Sequence, residues 1–196
     1  MVAFAESLKN KGDMSIDGAL SALEATRLAG SIRNSLYLFP FLESLHVVGL
    51  TMVFGTIAVL DLRMLGIAST RRPVSRIAMD VETWAWMAFV LTAATGALMF
   101  TTNATVYYYN IFFRLKMAML VLAGVNVVMF NRTARRSIER WNTDATAPSS
   151  GRAAAMVSLL LWIAIIFMGR WIGFTTTRVT GSKPDPNINI EDLLPK

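Results

Sequence analysis

The sequence predicts an all-α integral membrane protein: a four-helix transmembrane bundle with an amphipathic N-terminal helix at the membrane interface. Three observations carry that prediction. Of the 196 residues, 54% are hydrophobic and only 16% are charged, against about 25% charged in an ordinary soluble domain. The apolar residues are gathered into four stretches, each long enough to cross a hydrocarbon core of about 30 Å, which takes roughly 20 residues. The arginines are gathered beside those stretches, where membrane orientation and anionic headgroups account for the formal charge of +6 better than nucleic acid does.

Residues 1–33 form a polar to amphipathic segment. Residues 1–12 lack the basic start, apolar run and small-residue cleavage site of a signal peptide. From Asp17, a natural N-cap, Leu20, Leu23, Leu28 and Ile32 fall on one stripe of a helix. Such a helix suits the membrane surface, or equally the solvated start of the first span. The spans follow at residues 36–60, 84–100, 108–130 and 153–174, and a transmembrane domain covers residues 34–175. Residues 101–106 read as a short uncharged turn, and residues 142–151, with Thr, Asp, Pro, Ser and Gly, as a mobile loop. Residues 176–196 read as an extended polar tail containing Pro184, Pro186 and Pro195.

Arginine placement sets the expected topology. The first loop carries Arg63, Arg71, Arg72 and Arg76, the third carries Arg132, Arg135, Arg136, Arg140 and Arg152, and the second carries no charge. Cations stay on the cytoplasmic side, so both basic loops are expected inside an inner (cytoplasmic) membrane and both termini outside. Lys9, Lys11, Arg27 and Arg33 pull the other way, balanced by Glu6, Asp13, Asp17 and Glu24. A faint repeat, with Gly55 eight residues before Arg63 and Gly124 eight before Arg132, suggests two hairpins of like orientation.

Ionisable residues within the spans are costly, about 2.5–3.5 kcal/mol each even on a lenient scale, and mark candidate sites. At 1.5 Å per residue, Glu43, His46, Arg114, Lys116 and Arg170 all fall in the outer half of the bundle. Glu43 and His46, three apart, share a helix face. Pairing Glu43 with Arg114 or Arg170 would make a register-fixing network; Lys116 and Arg170 could instead snorkel to the headgroups. Glu-x-x-His is the spacing of carboxylate-bridged metal sites in bundles, but only Glu43 is available as a carboxylate there. A haem b is the better candidate cofactor, with His46 as axial ligand to the iron and Arg114, Lys116 or Arg170 holding propionates. As the chain has one histidine, the second axial ligand would be a methionine or come from a dimer. The remaining option is an anionic or quinone-like molecule lined by Phe39, Phe41, Tyr107, Tyr108 and Trp171, residues that also suit an interfacial belt.

Other features have structural readings. Trp84, Trp86 and Trp141 anchor the cytoplasmic boundary. Gly49, Gly55, Gly96 and Gly124 allow close helix packing. Asn126 hydrogen-bonds to a neighbouring helix, and Pro40 kinks the first span before Glu43. The absence of cysteine excludes disulfides and thiolate chemistry, and no nucleophile motif supports hydrolysis, so enzymatic activity is not expected.

The run Phe39-Pro-Phe-Leu-Glu-Ser-Leu-His-Val-Val-Gly-Leu, then Asp61-Leu-Arg63-Met-Leu-Gly66, and Tyr109-Asn-Ile-Phe-Phe-Arg-Leu-Lys116 resemble a family of small four-helix bacterial inner-membrane proteins of unassigned function. The resemblance covers most of residues 34–175 and implies a bacterial membrane bundle without supplying an activity. More loosely, a histidine over a glycine-bearing helix stripe is similar to cytochrome b-type and copper-resistance membrane proteins. Those carry several intramembrane histidines, whereas this chain has His46 alone. The sequence thus leaves three functions open: a ligand- or haem-holding subunit, a structural or assembly subunit of a larger complex, and a small transporter. The lipid bilayer is the expected partner, with further membrane subunits or a second copy as candidates and no nucleic acid.

Overall fold

The computed structural model describes residues 15–133, 136 and 138–180. The described residues form helices and connections without a strand: α1 (residues 15–24), α2 (Arg27–Asn34), α3 (Leu38–Met64), α4 (Val74–Thr102), α5 (Ala104–Tyr109), α6 (Ile111–Arg132), α7 (Ile138–Trp141) and α8 (Ser149–Thr180). Four of these, α3, α4, α6 and α8, are long and apolar enough to cross a membrane. They make two hairpins, α3 with α4 and α6 with α8, joined where α3 meets α8. No packing of comparable extent joins α4 to α6. The fold class expected from the sequence is the one observed.

The two ends of the bundle are built differently. At one end α1 and α2 cap the turn between α4 and α5. The Arg33 guanidinium donates to the carbonyls of Thr102 (3.1 Å) and Glu24 (3.2 Å), the last residues of α4 and α1. Glu24 Oε1 accepts from the Thr105 amide at 2.7 Å in the first turn of α5. Cation at helix C-termini and anion at a helix N-terminus both match the helix dipole. The Tyr109 hydroxyl adds a 2.7 Å bond to Asp17. The single N-terminal helix expected from Asp17 is therefore two, broken after Glu24 and restarted by Thr26, whose Oγ1 accepts from the Ala29 amide. The expected stripe survives only in part: Leu20 and Ile32 are buried, but Leu28 is exposed and Ala29 takes the inward position, because the break after Glu24 resets the rotation of α2.

At the other, basic end α3 closes with Gly66 at φ +75°. Ile67 N donates to Leu62 O (3.0 Å) and Gly66 N to Arg63 O (3.1 Å), the paired bonds of a Schellman cap, in which glycine supplies the left-handed residue. A Cβ on Gly66 would stand 2.5 Å from Thr146 Cγ2 and 3.0 Å from Ala145 O, so the third loop passes directly over it. Arg63 is fully buried and donates to three carbonyls: Arg72 (2.8 Å), Asp144 (2.9 Å) and Ala145 (3.2 Å). Asn142 caps α4, its carbonyl accepting from Val74 N (3.0 Å) and its Oδ1 from Ser75 N (2.8 Å), while Ala147 N donates to Met64 O at 2.9 Å. The stretch read as a mobile loop is thus stitched to the first loop, because its carbonyls supply what the ends of α3 and α4 require. Arg63, counted as a loop cation, is an internal clamp, and its repeat counterpart Arg132 is exposed.

Other expectations change with tertiary context. Trp141 is not a boundary anchor; it is buried with Met64, Val74, Ala147 and Ala155 in a cluster at the basic end. Helix α4 starts at Val74, ten residues before the expected span, because Val74 and Ile77 pack inward while Arg76, Asp80 and Glu82 stay exposed. Pro40 lies in the first turn of α3, where its missing amide costs nothing, and the helix runs on unbroken. The short turn expected at 101–106 is the end of α4 and the start of α5, with Asn103 between them. Helix α8 continues to Thr180, beyond the expected start of the tail at 176; residues 1–14 and 181–196 lie outside the described residues. Asn126 bridges as expected, donating to Ala154 O of α8 at 3.0 Å.

A second apolar cluster of Val53, Ala88, Ala123, Trp162 and Ile165 ties all four spans at mid-bundle. Of the four glycines expected to permit close packing, Gly49 and Gly96 do so. A Cβ on Gly49 would lie 2.5 Å from Thr92 Oγ1 and 3.5 Å from Ala88 O, whereas Gly55 and Gly124 face open space.

Gly49→Leu is expected to cost about 1–3 kcal/mol by overpacking the α3–α4 contact, and Gly55→Leu less than about 0.5 kcal/mol; thermal unfolding in mild detergent compares them. Arg63→Ala should lower the unfolding midpoint far more than Arg71→Ala, since it strands buried carbonyls while Arg71 is exposed.

Candidate functional site

One to two turns above the mid-bundle cluster, on the capped side, two polar side chains enter the bundle. His46 projects from α3 against α4. Its Nδ1 lies 3.0 Å from both Thr92 O and Thr95 Oγ1. The Thr95 hydroxyl itself donates to Leu91 O at 2.8 Å. Because a carbonyl only accepts, Nδ1 carries the proton, and the lone pair belongs to Nε2. The imidazole lies against Gly96, where a Cβ would stand 3.0 Å from Cε1 and 3.4 Å from Nδ1. A close seat of this kind holds the ring by packing as well as by its hydrogen bond. Among the described residues nothing hydrogen-bonds to Nε2.

Lys116 enters from α6 against α8. Its Nζ is 3.6 Å from the position of a Cβ on Gly169. The level of that contact is set by an independent bond: Asn110 Nδ2 donates to Thr175 Oγ1 at 2.8 Å. Lys116 is six residues beyond Asn110 and Gly169 six before Thr175, so the ammonium lies level with its own backbone. The expected alternative of snorkelling toward the headgroups is not what this side chain does. Val53 and Ala123 share the mid-bundle cluster, and His46 and Lys116 each lie seven residues from them toward the capped end, so the two lie at one depth; no hydrogen bond or ion pair engages Lys116 among the described residues. The four spans thus contribute to one layer, with a glycine of α4 seating His46 and a glycine of α8 seating Lys116.

An aromatic roof covers the layer. Phe100 at the end of α4 stacks on Phe113 of α6, centroids 5.3 Å apart and planes at 17°, and Tyr107 of α5 lies 6.1–6.3 Å from both. Asn110 positions Phe113 by capping α6, accepting from the amides of Phe112 (2.9 Å) and Phe113 (3.4 Å). Glu43 of α3 is exposed and stands near Tyr107; burial first, and then this carboxylate, pushes the Tyr107 phenol above its usual range.

Of the five residues singled out in the sequence, His46 and Lys116 lie at one depth, Glu43 lies toward Tyr107, and Arg114 and Arg170 are exposed. No ion pair joins Glu43 to Arg114 or Arg170 among the described residues, contrary to the expected network. Helix geometry explains this. Arg114 is two positions from Lys116, about 200° around α6, so both cannot face inward. Arg170 is turned about 100° from Gly169, which faces Lys116; its guanidinium lies 5.8 Å from the Phe174 ring instead. Of the aromatics considered as lining, Tyr107 joins the roof, Trp171 packs on Phe112 (5.9 Å), and Phe41 and Tyr108 are exposed.

Two features escaped sequence reasoning. A shallow depression of about 370 Å³ lies at the capped end, lined by residues such as Thr105, Tyr109, Asn110, Phe112 and Thr175, apart from His46. At the basic end Asp61 is buried at 4% exposure beside Ser158, with Oδ2 lacking a hydrogen-bond partner. Neither has a local sequence signature, since each depends on how α3, α5 and α8 meet.

No curated protein and no solved structure matches the chain, so the looser likeness to cytochrome b-type and copper-resistance proteins finds no support there. Residues 27–175 match a family of unknown function (DUF6644), a stretch that begins at α2 and includes the four spans, the His46–Lys116 layer and its aromatic roof. With that much of its length matched, the chain belongs to the DUF6644 family.

Proposed function

We propose that this chain is a membrane-embedded binding protein that holds a small organic ligand in the layer between His46 and Lys116, working as a subunit or partner of a larger assembly. The observation that carries this reading is that His46 and Lys116 lie at one depth of the bundle, each seated on a glycine and neither Nε2 nor Nζ hydrogen-bonded among the described residues. An unpaired ammonium within a span costs roughly 2.5–3.5 kcal/mol or more, which a ligand bearing an acceptor offsets. A purely structural role for the charges would favour closed pairs, and Glu43, Arg114 and Arg170 form none among the described residues. A transport role lacks a relay: Glu43 and Asp61 are the carboxylates of α3, separated by roughly 27 Å along the helix.

A second reading, haem b on His46, draws on one observation. A metal-binding histidine generally donates its other ring N–H to a carbonyl or carboxylate, as Nδ1 does toward Thr92 O. His46 would then hold the iron through Nε2 and Lys116 would hold a propionate, and the group would supply electron-transfer chemistry.

One preparation tests both readings. Protein purified in mild detergent is expected to release, on solvent extraction, a ligand absent from His46→Ala and Lys116→Met; a Soret band that vanishes in His46→Ala would identify that ligand as haem. A wild-type extract indistinguishable from those of both variants, with a featureless spectrum, would overturn both and leave the packing role.

We further infer that the membrane is a bacterial inner membrane, that the basic end faces the cytoplasm, and that residues 34–175 act as the membrane domain between two polar flanks. The exposed Arg71, Arg72, Arg76, Arg136, Arg140 and Arg152 at that end support it. The chain has no cysteine, so single replacements report topology directly. In whole cells an impermeant maleimide should label Leu36→Cys at once and Arg71→Cys only after permeabilisation; the reverse order would invert the topology.

A further inference from the structure

We propose that the ligand of this layer is an amphiphile with an anionic head, a carboxylate or a phosphate, that enters sideways from the bilayer between α4 and α6. The inference rests on the reading of the layer as a binding site and adds the chemistry and the route. The head is assigned by Lys116. Its ammonium stays level with Gly169 in the α6–α8 contact, about 9 Å along the helix from Asn110, and no acid of this chain neutralises it among the described residues. Glu43, the acid nearest in sequence to His46, lies toward Tyr107. His46, at the same depth, offers a lone pair at Nε2, an acceptor for a protonated head or for a water bound to an ionised one.

The route follows from how the spans pack. Each hairpin is closed within itself, and α3 against α8 closes one side of the layer. Below, Leu50, Val53, Ala88, Met119, Leu120 and Trp162 belong to a continuous apolar floor. Above, the Phe100–Tyr107–Phe113 group bridges α4, α5 and α6. The side left without helix packing is the α4–α6 seam, which in a membrane borders hydrocarbon. A molecule arriving through hydrocarbon must itself be largely apolar, and one retained by an unpaired ammonium must carry an anion; an amphiphile satisfies both. The head could belong to a free fatty acid or to a phosphate-bearing lipid, which share this chemistry.

The test uses delipidated full-length protein in mild detergent, with oleate, 1-oleoyl-lysophosphatidate and oleyl alcohol as probes. At saturation, oleate or lysophosphatidate should raise the unfolding midpoint by roughly 5 °C, and oleyl alcohol, with a neutral head, should not. A response to oleate alone assigns a carboxylate head; a response to lysophosphatidate assigns a phosphate. Lys116→Met should abolish the response and Arg114→Gln should preserve it. If Lys116→Met does not fold, Gly169→Leu, which fills the seat of the ammonium, replaces it. An equal response to oleyl alcohol, or an undiminished one in Lys116→Met or its replacement, would overturn the proposal. Protein that releases a neutral co-purified ligand yet ignores both anions refutes this inference and leaves the binding reading standing. Protein that releases nothing and ignores all three probes removes both.

Discussion

A guanidinium without access to water must spend its donors on protein, and the Arg63 side chain spends them on carbonyls of Arg72, Asp144 and Ala145. Those residues lie on the two loops that would otherwise be independent. By binding both, Arg63 holds the base of the α3–α4 hairpin against the base of α6–α8, with the Met64–Trp141 cluster filling the space alongside. The relation of α3 to α8, and with it the position of His46 relative to Lys116, depends on that junction. Hydrogen bonds to a charged donor contribute about 1.5–3 kcal/mol each, so a set of three is large beside the net stability of a small domain, about 5–15 kcal/mol.

From that base the bundle separates its tasks by depth. The apolar mid-layer around Trp162 joins all four spans through dispersion and close packing. Above it glycines at 96 and 169 leave room for an imidazole and an ammonium against the backbone. Glycine at these points does not bend the helices; it lets polar groups lie against backbone where a Cβ would crowd His46. The capped end is then sealed by charge matched to helix dipoles, Arg33 at two C-termini and Glu24 at an N-terminus.

The polar layer differs in kind from the polar contacts elsewhere in the bundle. Asn126 and Arg63 have their donors engaged, as buried polar groups ordinarily do. His46 commits one nitrogen and keeps one, and Lys116 commits none. Asp61, with one oxygen unpaired, is the comparable exception at the basic end. Such exceptions, placed where water is scarce, are where function concentrates in membrane proteins.

The spans and their number were legible in the sequence because hydrophobic length is a local quantity set by the bilayer. That His46 and Lys116 lie at one depth follows from counting residues along their helices, as the sequence already allowed. Partner choice was not legible. Which of Arg114 and Lys116 faces inward is decided by the rotation of α6 against α8, and which glycines are seats rather than lipid-facing gaps by where α3 meets α4. Arg63 and Arg132 occupy matching places in the chain, yet one is buried and the other exposed. Loop residues 142–147 look mobile by composition and are held by bonds to distant residues. Composition and spacing thus determined that the chain is a four-helix membrane bundle and which charges fall within its spans. Tertiary structure alone decided which charges meet, because helix rotation and loop docking depend on contacts between segments far apart in the sequence.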